Sequence, residues 1–182
     1  MGDLLEVVVF SGAIFLVLYL LVLQPHKIKG ASMEPSFLNG EYLLTDKITY
    51  RFQEPKRGDV IVFKAPGTDG EEFIKRIIGL PGEIIAIKDG KVFINGERLV
   101  ESYIPNEFYT SGGGFLREGF DTGVPQGKYF VMGDNRQHSS DSRTWGFITK
   151  KEITGRAWII YWPMDKMGTI KPPIYTLSQR FN

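Results

Sequence analysis

The sequence has no cysteine and only two histidines, and these absences exclude several kinds of active site. Without cysteine there can be no disulfide, no thiolate nucleophile, no thiolate zinc site and no Cys-ligated iron–sulfur cluster. His26 and His138 are too few for a three-histidine zinc site. With 22 basic and 21 acidic residues the net charge is +1, which argues against nucleic-acid binding, since such proteins usually carry a basic surplus. The 182 residues suffice for one domain with an appendage.

An uncharged apolar run near the N-terminus, residues 7–23, differs from the rest of the chain. A helix of about 20 residues crosses the hydrocarbon core of a bilayer, so the run predicts one N-terminal transmembrane helix in an anchor of residues 1–25. A buried core helix is one alternative, but it should carry a polar stripe. A cleaved signal peptide is another, but it usually has basic residues before an apolar region of about 7–15 residues.

The remaining chain, residues 26–182, is predicted to form one mostly β domain. Its apolar runs are short, rich in Val, Ile, Tyr and Phe, and separated by Gly, Pro, Asn or Asp, as in strands. The predicted strands are residues 42–44, 60–63, 73–78, 84–87, 91–94, 129–132 and 157–162. This pattern suggests a partly open barrel of several small sheets, with one weak helical stretch at residues 48–53.

A polar stretch of the domain, residues 106–126, contains three consecutive glycines. It is predicted to be a mobile surface loop or small insertion, around residues 101–127, outside the core.

Two separate residues are candidates for a nucleophile and a base. Ser32 follows small residues that leave room for a substrate backbone, although a linker serine would look the same. Lys75 lies among apolar residues of a predicted strand, where burial would lower its pKa and make it a general base. A snorkelling or salt-bridged lysine is the alternative for Lys75.

A third segment, residues 132–143, concentrates acids, arginines and serines in one loop. The simplest interpretation is a solvated turn held by Asp–Arg pairs. A metal loop from Asp134, Asn135 and Asp141 is possible, but the spacing does not match calcium loops. A Ser–His–Asp triad would combine His138 with Ser32 and either aspartate.

Together these segments resemble the bacterial type I signal peptidases, which are membrane-anchored serine proteases with a Ser/Lys dyad. The resemblance covers nearly the whole chain after the anchor and keeps the order of the family's motifs. The matching motifs are SMEP at residues 32–35, RGDVIVFK at 57–64, KRIIGLPG at 75–82, and GDNR at 133–136 followed by Ser139, Asp141, Ser142 and Arg143.

The resemblance implies a role for each matched residue. Ser32 would attack the scissile carbonyl while neutral Lys75 takes its proton, and the Ser32 amide would donate to the oxyanion. Ser139 would orient the lysine amine. Gly30 stands where some members carry a second donor hydroxyl, so here that donor must be backbone or water. Four residues match positions that pair to hold the loop against the base strand: Arg76, Asp134, Asp141 and Arg143.

The resemblance also implies partners and location. The substrates would be signal-peptide-bearing preproteins with small residues at the first and third positions before the cut, bound as an added strand. The second partner would be the lipid bilayer; no cofactor, metal or nucleic acid is implied, and a monomer is expected. Apolar residues that could face substrate or membrane, with core packing as the alternative, are Met33, Pro35, Phe37, Leu38, Trp158, Tyr161 and Trp162.

The family places its catalytic domain on the extracytoplasmic face of the bacterial plasma membrane, here behind a single pass. The flanking charges alone favour the opposite orientation, because Asp3 and Glu6 precede the apolar run while His26, Lys27 and Lys29 follow it. We follow the family, since its substrates are translocated chains.

Two other functions stay open at this point. One is a LexA-like self-cleaving regulator, which uses Ser/Lys chemistry but carries a DNA-binding segment where this chain has its apolar run. The other is an inactive membrane-anchored β-adaptor, against which the intact Ser32 and Lys75 argue.

Overall fold

The computed structural model describes residues 2–173 and residue 175 of the chain, so the end of the predicted domain lies outside the described residues. The α-helices are α1 (Gly2–Val22), α2 (Thr49–Phe52) and α3 (Ser142–Trp145). The strands are β1 (Leu23–Lys27), β2 (Tyr42–Asp46), β3 (Val60–Lys64), β4 (Glu72–Gly79), β5 (Ile84–Lys88), β6 (Lys91–Ile94), β7 (Glu97–Arg98), β8 (Thr122–Gly123), β9 (Lys128–Met132), β10 (Ile148–Thr149), β11 (Ile153–Trp162) and β12 (Gly168–Thr169).

Among the described residues the strands form two antiparallel sheets. The larger sheet has the order β1-β2-β11-β3-β4-β9-β10, with β12 added to β11. The smaller sheet has the order β7-β6-β5-β8. Every predicted strand overlaps an observed one, and the prediction of a mostly β domain built from antiparallel sheets is confirmed.

Strand β4 occupies the middle of the larger sheet and connects two hydrophobic clusters. Ile77 packs in a cluster with Phe63 and Val131, whereas Ile78 packs with residues of the smaller sheet such as Ile85. Because successive side chains of a strand point to opposite faces, this apolar strand is buried on both sides. Such a strand gives any polar residue within it a fixed and dry position.

Helix α1 is the counterpart of the predicted anchor. Its 21 residues carry exposed apolar side chains, among them Leu5, Phe10 and Phe15, and also Glu6 in its second turn. Among the described residues, no helix has both the length and the apolar character that crossing a membrane requires. The expectation of a transmembrane helix is therefore not supported by the structure.

No linker separates the helix from the sheet. Helix α1 ends at Val22, and β1 begins at the next residue and pairs with β2. The boundary expected between residues 25 and 26 falls inside β1. Pro25 can lie within this strand because β1 is at the edge of the sheet, where a missing N–H is tolerated.

The glycine-rich insertion is exposed over most of its length, but it belongs partly to the core, which corrects the expectation that it lies outside the core. Leu116 is fully buried in the cluster that contains Ile85. Its loop approaches α3 closely: the amide of Leu116 donates to Arg143 O at 3.0 Å, and a Cβ on Gly113 would lie 2.4 Å from the same oxygen. Glycine is therefore required at residue 113 for this contact.

Candidate active site

The nucleophile and base candidates are brought together from distant parts of the chain. Ser32 lies in the turn that follows β1, and Lys75 lies at the centre of β4, opposite Ile61 of β3. Lys75 Nζ donates to Ser32 Oγ at 2.9 Å and to Ile74 O at 2.9 Å. At this separation the neutral amine can instead accept the proton of the Ser32 hydroxyl, which is the transfer that general-base catalysis needs.

Burial gives the Lys75 amine an unusual protonation equilibrium. Only 3% of the residue is exposed, and desolvation lowers its pKa from 10.5 to about 8, against the opposing effect of the Asp141 and Asp134 carboxylates. A pKa near 8 leaves about a tenth of the amines neutral at pH 7, compared with about one in 3,000 at the ordinary value. The strand position thus supplies a base at neutral pH.

The cleft around these two residues has a volume of about 740 Å³. Its lining includes residues of β1 and of the first half of β4, together with apolar side chains such as Leu43, Val62 and Ile74. β1 is the outermost strand of the larger sheet, and β4 pairs with β9 only from Arg76 onward. The cleft therefore lies between two strand edges that the described residues leave unpaired.

The loop after β9 approaches the main chain of the nucleophile. A Cβ on Gly133 would lie 2.4 Å from Ser32 O and 2.3 Å from Ser139 Oγ, so only glycine permits this approach. The Asn135 amide donates to Ser32 O at 3.0 Å, and Asn135 Nδ2 donates to Ala31 O at 3.1 Å. Gly133 and Asn135 were expected only as members of the GDNR motif, and Asn135 of a possible metal loop. Their contacts with Ala31 and Ser32 could not be predicted, because residues about a hundred positions apart show no common spacing.

One of the two expected ion pairs joins the loop to β4. Arg76 binds Asp134 through Nε at 2.9 Å and through a terminal nitrogen at 2.5 Å, and both side chains are almost fully buried. The Arg76 guanidinium also lies over the Tyr103 ring, 4.1 Å from its centroid. The pair fixes the residue next to Lys75 relative to the loop.

The second pair, Asp141 with Arg143, lies within the loop itself. Both Asp141 oxygens accept from Arg143 at 2.8 Å, and Asp141 also accepts the Gly133 amide at 3.0 Å. Asp141 is in addition the N-cap of α3. The expectation that this pair contacts the base strand is therefore replaced by a role inside the loop.

A third buried arginine was not anticipated. Arg136 has no exposed side-chain surface; it pairs with Glu101 and donates to Thr110 Oγ1 at 3.0 Å and Gly133 O at 3.1 Å. It connects the glycine-rich insertion to the loop that approaches Ser32. Arg136 is part of the GDNR motif, but the motif does not show that its partners Glu101 and Thr110 lie in the insertion.

Two residues expected to assist the dyad do not contact it in this way. Ser139 Oγ is buried and has no hydrogen-bond partner among the described residues, so it does not bind the Lys75 amine here. Gly30 has φ +84° and donates its amide to Asn39 Oδ1 at 3.0 Å. The Gly30 N–H is thus engaged and is not a second oxyanion donor in this geometry.

The apolar residues expected at a substrate or membrane surface divide into two groups. Met33 and Phe37, 1% and 4% exposed, pack in a cluster beneath the nucleophile, which corrects the expectation that they face outward. Trp158, Trp162 and Pro35 are exposed, as are Leu38 and part of Tyr161. Met33 therefore anchors the turn that carries Ser32 in the hydrophobic core.

The other arrangements considered for this loop are not assembled. His138 is exposed, and its main-chain amide donates to Asn135 O and Oδ1, while its ring takes part in no hydrogen bond with the described residues. The Asp134 and Asp141 carboxylates are occupied by arginines. Within residues 2–173 and 175, no group of three metal-ligating side chains converges.

Comparisons of this sequence with known proteins all point to one family. A family model described as "Signal peptidase, peptidase S26" matches residues 1–162. "Signal peptidase I V" of Bacillus subtilis is 42% identical over 137 residues, covering 71% of this chain and 80% of the relative. "Probable signal peptidase I-2" of Synechocystis is 37% identical over 157 residues, covering 82% of this chain and 67% of the relative. The crystal structure of a signal peptidase I from Enterococcus faecalis V583 is 33% identical, with a TM-score of 0.46, over 57% of this chain and 97% of that one.

Proposed function

Because the chain belongs to the signal peptidase family, peptidase S26, we propose that it cleaves signal peptides with Ser32 as nucleophile and Lys75 as general base. The family and its relatives support removal of N-terminal signal peptides from preproteins by a serine endopeptidase. The observation that carries the assignment of the two residues is the 2.9 Å contact from the buried Lys75 Nζ to Ser32 Oγ.

In this mechanism Ser32 Oγ attacks the scissile carbonyl as its proton passes to the neutral Lys75 amine. The resulting ammonium protonates the leaving amine as the peptide bond breaks, which returns Lys75 to its neutral form. Lys75 then takes a proton from a water that attacks the acyl-enzyme, and it returns this proton to Ser32 Oγ as the ester bond breaks and the signal peptide leaves. The Ser32 N–H donates to the oxyanion in both tetrahedral intermediates.

The substrate binds as an extended chain in the cleft between β1 and β4. Main-chain hydrogen bonds to the two unpaired strand edges hold the chain, and the side chains that point toward Leu43, Val62 and Ile74 enter apolar space. Selection of small side chains there follows from the exclusion of larger ones.

We also propose that α1 contacts the lipid bilayer of the bacterial plasma membrane, with the catalytic domain on the extracytoplasmic face. The support is the exposed apolar surface of α1, together with a groove at its C-terminal end that is lined by apolar side chains such as Leu23, Phe52 and Trp158 and by the polar Asp46, Thr49 and Gln53. Flotation of the full chain with phospholipid vesicles, compared with a chain lacking residues 2–22, tests this: only the full chain should float. Equal flotation of both would refute the role of α1.

Cleavage assays on a purified preprotein in detergent test the catalytic assignment. Ser32→Ala and Lys75→Met should each abolish cleavage while circular dichroism and the melting transition show a folded protein. Lys64→Met is the matched control, because Lys64 is an exposed lysine at the end of β3, and it should cleave at the wild-type rate. Retained cleavage by either dyad variant would refute the assignment, and cleavage of the enzyme itself without action on preproteins would favour the self-cleaving regulator.

A further inference from the structure

We infer that Asn135 is a positioning residue for oxyanion stabilisation, because it holds the peptide unit whose N–H donates to the oxyanion. The inference rests on the proposed function, in which the Ser32 amide is that donor. Asn135 touches neither the reacting hydroxyl nor the base in the structure. Its contacts are to the main chain on both sides of the nucleophile.

The first step of the argument is the geometry of one peptide unit. Asn135 Nδ2 donates to Ala31 O at 3.1 Å. The peptide bond is planar and trans, so the Ala31 carbonyl and the Ser32 N–H point in opposite directions within one plane. A hydrogen bond that fixes the carbonyl therefore also fixes the direction of the Ser32 N–H.

A second contact from the same residue prevents this plane from rotating. The Asn135 amide donates to Ser32 O at 3.0 Å, so the carbonyl groups before and after the Ser32 Cα are both held by Asn135. The Glu34 amide also donates to Ala31 O, at 3.2 Å. Among the described residues, none accepts the Ser32 N–H, which leaves this donor available for a substrate oxygen.

The orientation of the Asn135 side chain is itself determined. Its Oδ1 accepts the His138 amide at 3.3 Å, so Nδ2 is the atom that faces Ala31 O. The neighbouring Asp134 is held by Arg76 at hydrogen-bonding distance. Donation to the Ala31 carbonyl also polarises the peptide unit, which strengthens the Ser32 N–H as a donor.

The side-chain amide can accept the His138 amide and donate to Ala31 O at the same time. A carboxylate in its place would still accept from His138 but would turn an acceptor toward the Ala31 carbonyl. An alanine would remove the side-chain donor and leave the main-chain bond to Ser32 O. Both Asn135→Asp and Asn135→Ala therefore remove the donor to Ala31 O, and only Asn135→Asp adds repulsion between the new carboxylate and that carbonyl.

The experiment compares Asn135→Asp and Asn135→Ala with wild type in steady-state cleavage of a preprotein. We expect kcat to fall about tenfold for Asn135→Ala, less than the ~10²–10³-fold that loss of an oxyanion donor costs, because the Glu34 amide still binds Ala31 O. Asn135→Asp should be slower than Asn135→Ala, with KM within about twofold of wild type for both. Asn95→Asp is the matched control, since Asn95 Oδ1 only accepts the exposed Ile84 amide and an aspartate keeps that acceptor.

A second measurement separates positioning from general loss of structure. A peptide aldehyde forms a tetrahedral adduct with Ser32, whereas the corresponding peptide alcohol only fills the cleft. For Asn135→Ala the inhibition constant of the aldehyde should rise in parallel with the loss of kcat/KM, while that of the alcohol stays unchanged. The midpoint of the acidic limb of the pH profile should also stay unchanged, because Asn135 does not contact the Lys75 amine.

Two results would overturn the inference. One is cleavage by both Asn135 variants at more than half the wild-type rate. The other is an equal loss of affinity for the aldehyde and the alcohol together with a lowered melting temperature. If Asn135→Asp does not fold, Asn135→Ala alone decides. Ser32→Ala and Lys75→Met are measured alongside: their inactivity confines a failure to Asn135, whereas their activity would refute the proposed function instead.

Discussion

The lowered pKa of Lys75 predicts the pH dependence of cleavage. Only the neutral amine accepts the Ser32 proton, so kcat/KM should rise about tenfold per pH unit on the acidic side and level off above the pKa of about 8. The cause is burial, which removes water from the ammonium form. A shift from 10.5 to about 8 corresponds to a difference of about 3 kcal/mol between the two protonation states.

The same pKa shift also makes folding stability depend on pH, in the opposite direction from a salt-bridged lysine, whose raised pKa makes stability fall as the pH rises. Between pH 8 and about 10.5 the unfolded chain binds a proton at Lys75 that the native chain does not, so stability rises with pH across this window. Relative to Lys75→Met, the wild type should therefore gain up to about 3 kcal/mol of unfolding free energy from pH 8 to 10.5. Below pH 8 the difference should stay constant.

The assays are kcat/KM for a preprotein from pH 5.5 to 10, and urea unfolding of wild type and Lys75→Met over the same range and up to pH 10.5. His26→Gln serves as control, since His26 lines the cleft but binds Glu72 and Thr45 instead of Lys75. Its acidic limb should have the wild-type midpoint. A wild-type midpoint near 10, or one near 6.5 that disappears in His26→Gln, would refute the assignment of the base.

Three further predictions concern the packing around the site. Gly133→Ala should abolish cleavage with little change in melting temperature if the loop moves away from Ser32 O, because the new Cβ would lie 2.4 Å from that oxygen. Leu116→Ala should lower the unfolding free energy by about 2–5 kcal/mol, as for other fully buried leucines; a loss below 0.5 kcal/mol in urea titration would place residue 116 outside the core. Asp134→Asn should cost about 3–5 kcal/mol in the same titration, since it leaves the Arg76 charge buried without its partner, and a neutral result would contradict the pairing.

The sequence predicted the parts of the fold that follow from local patterns. The strand that contains Lys75 and the strand that precedes the GDNR motif are rich in Ile, Val, Tyr and Phe, and the structure contains both. β1 was not predicted, because its residues were assigned partly to the anchor of residues 1–25, and edge-strand pairing does not show in composition. The two-residue strands β7, β8, β10 and β12 are too short to carry any period.

Tertiary contacts could not be read from spacing in the same way. Leu116 is one of several apolar residues scattered through a largely polar stretch, and its loop packs against Arg143 through the close approach of Gly113. Met33 and Phe37 looked equally suited to a surface and to a core, and the turn after β1 directs them inward. The hydrogen bonds of Asn135 join loops that are separated by about a hundred residues. The resemblance to a family indicated the dyad, but the contacts that hold it in place are tertiary and could not be derived from the sequence.

The contacts that position residue 32 are different from the contact that its side chain uses in catalysis. Apart from the Lys75 contact, the turn is held by main-chain oxygens of Ala31 and Ser32 and by the buried side chain of Met33. None of these depends on the hydroxyl, so a thiol introduced by Ser32→Cys would occupy the same place beside the amine of Lys75. The scaffold is thus open to an exchange of nucleophile without redesign, and a thiol enzyme could arise from this fold by one substitution.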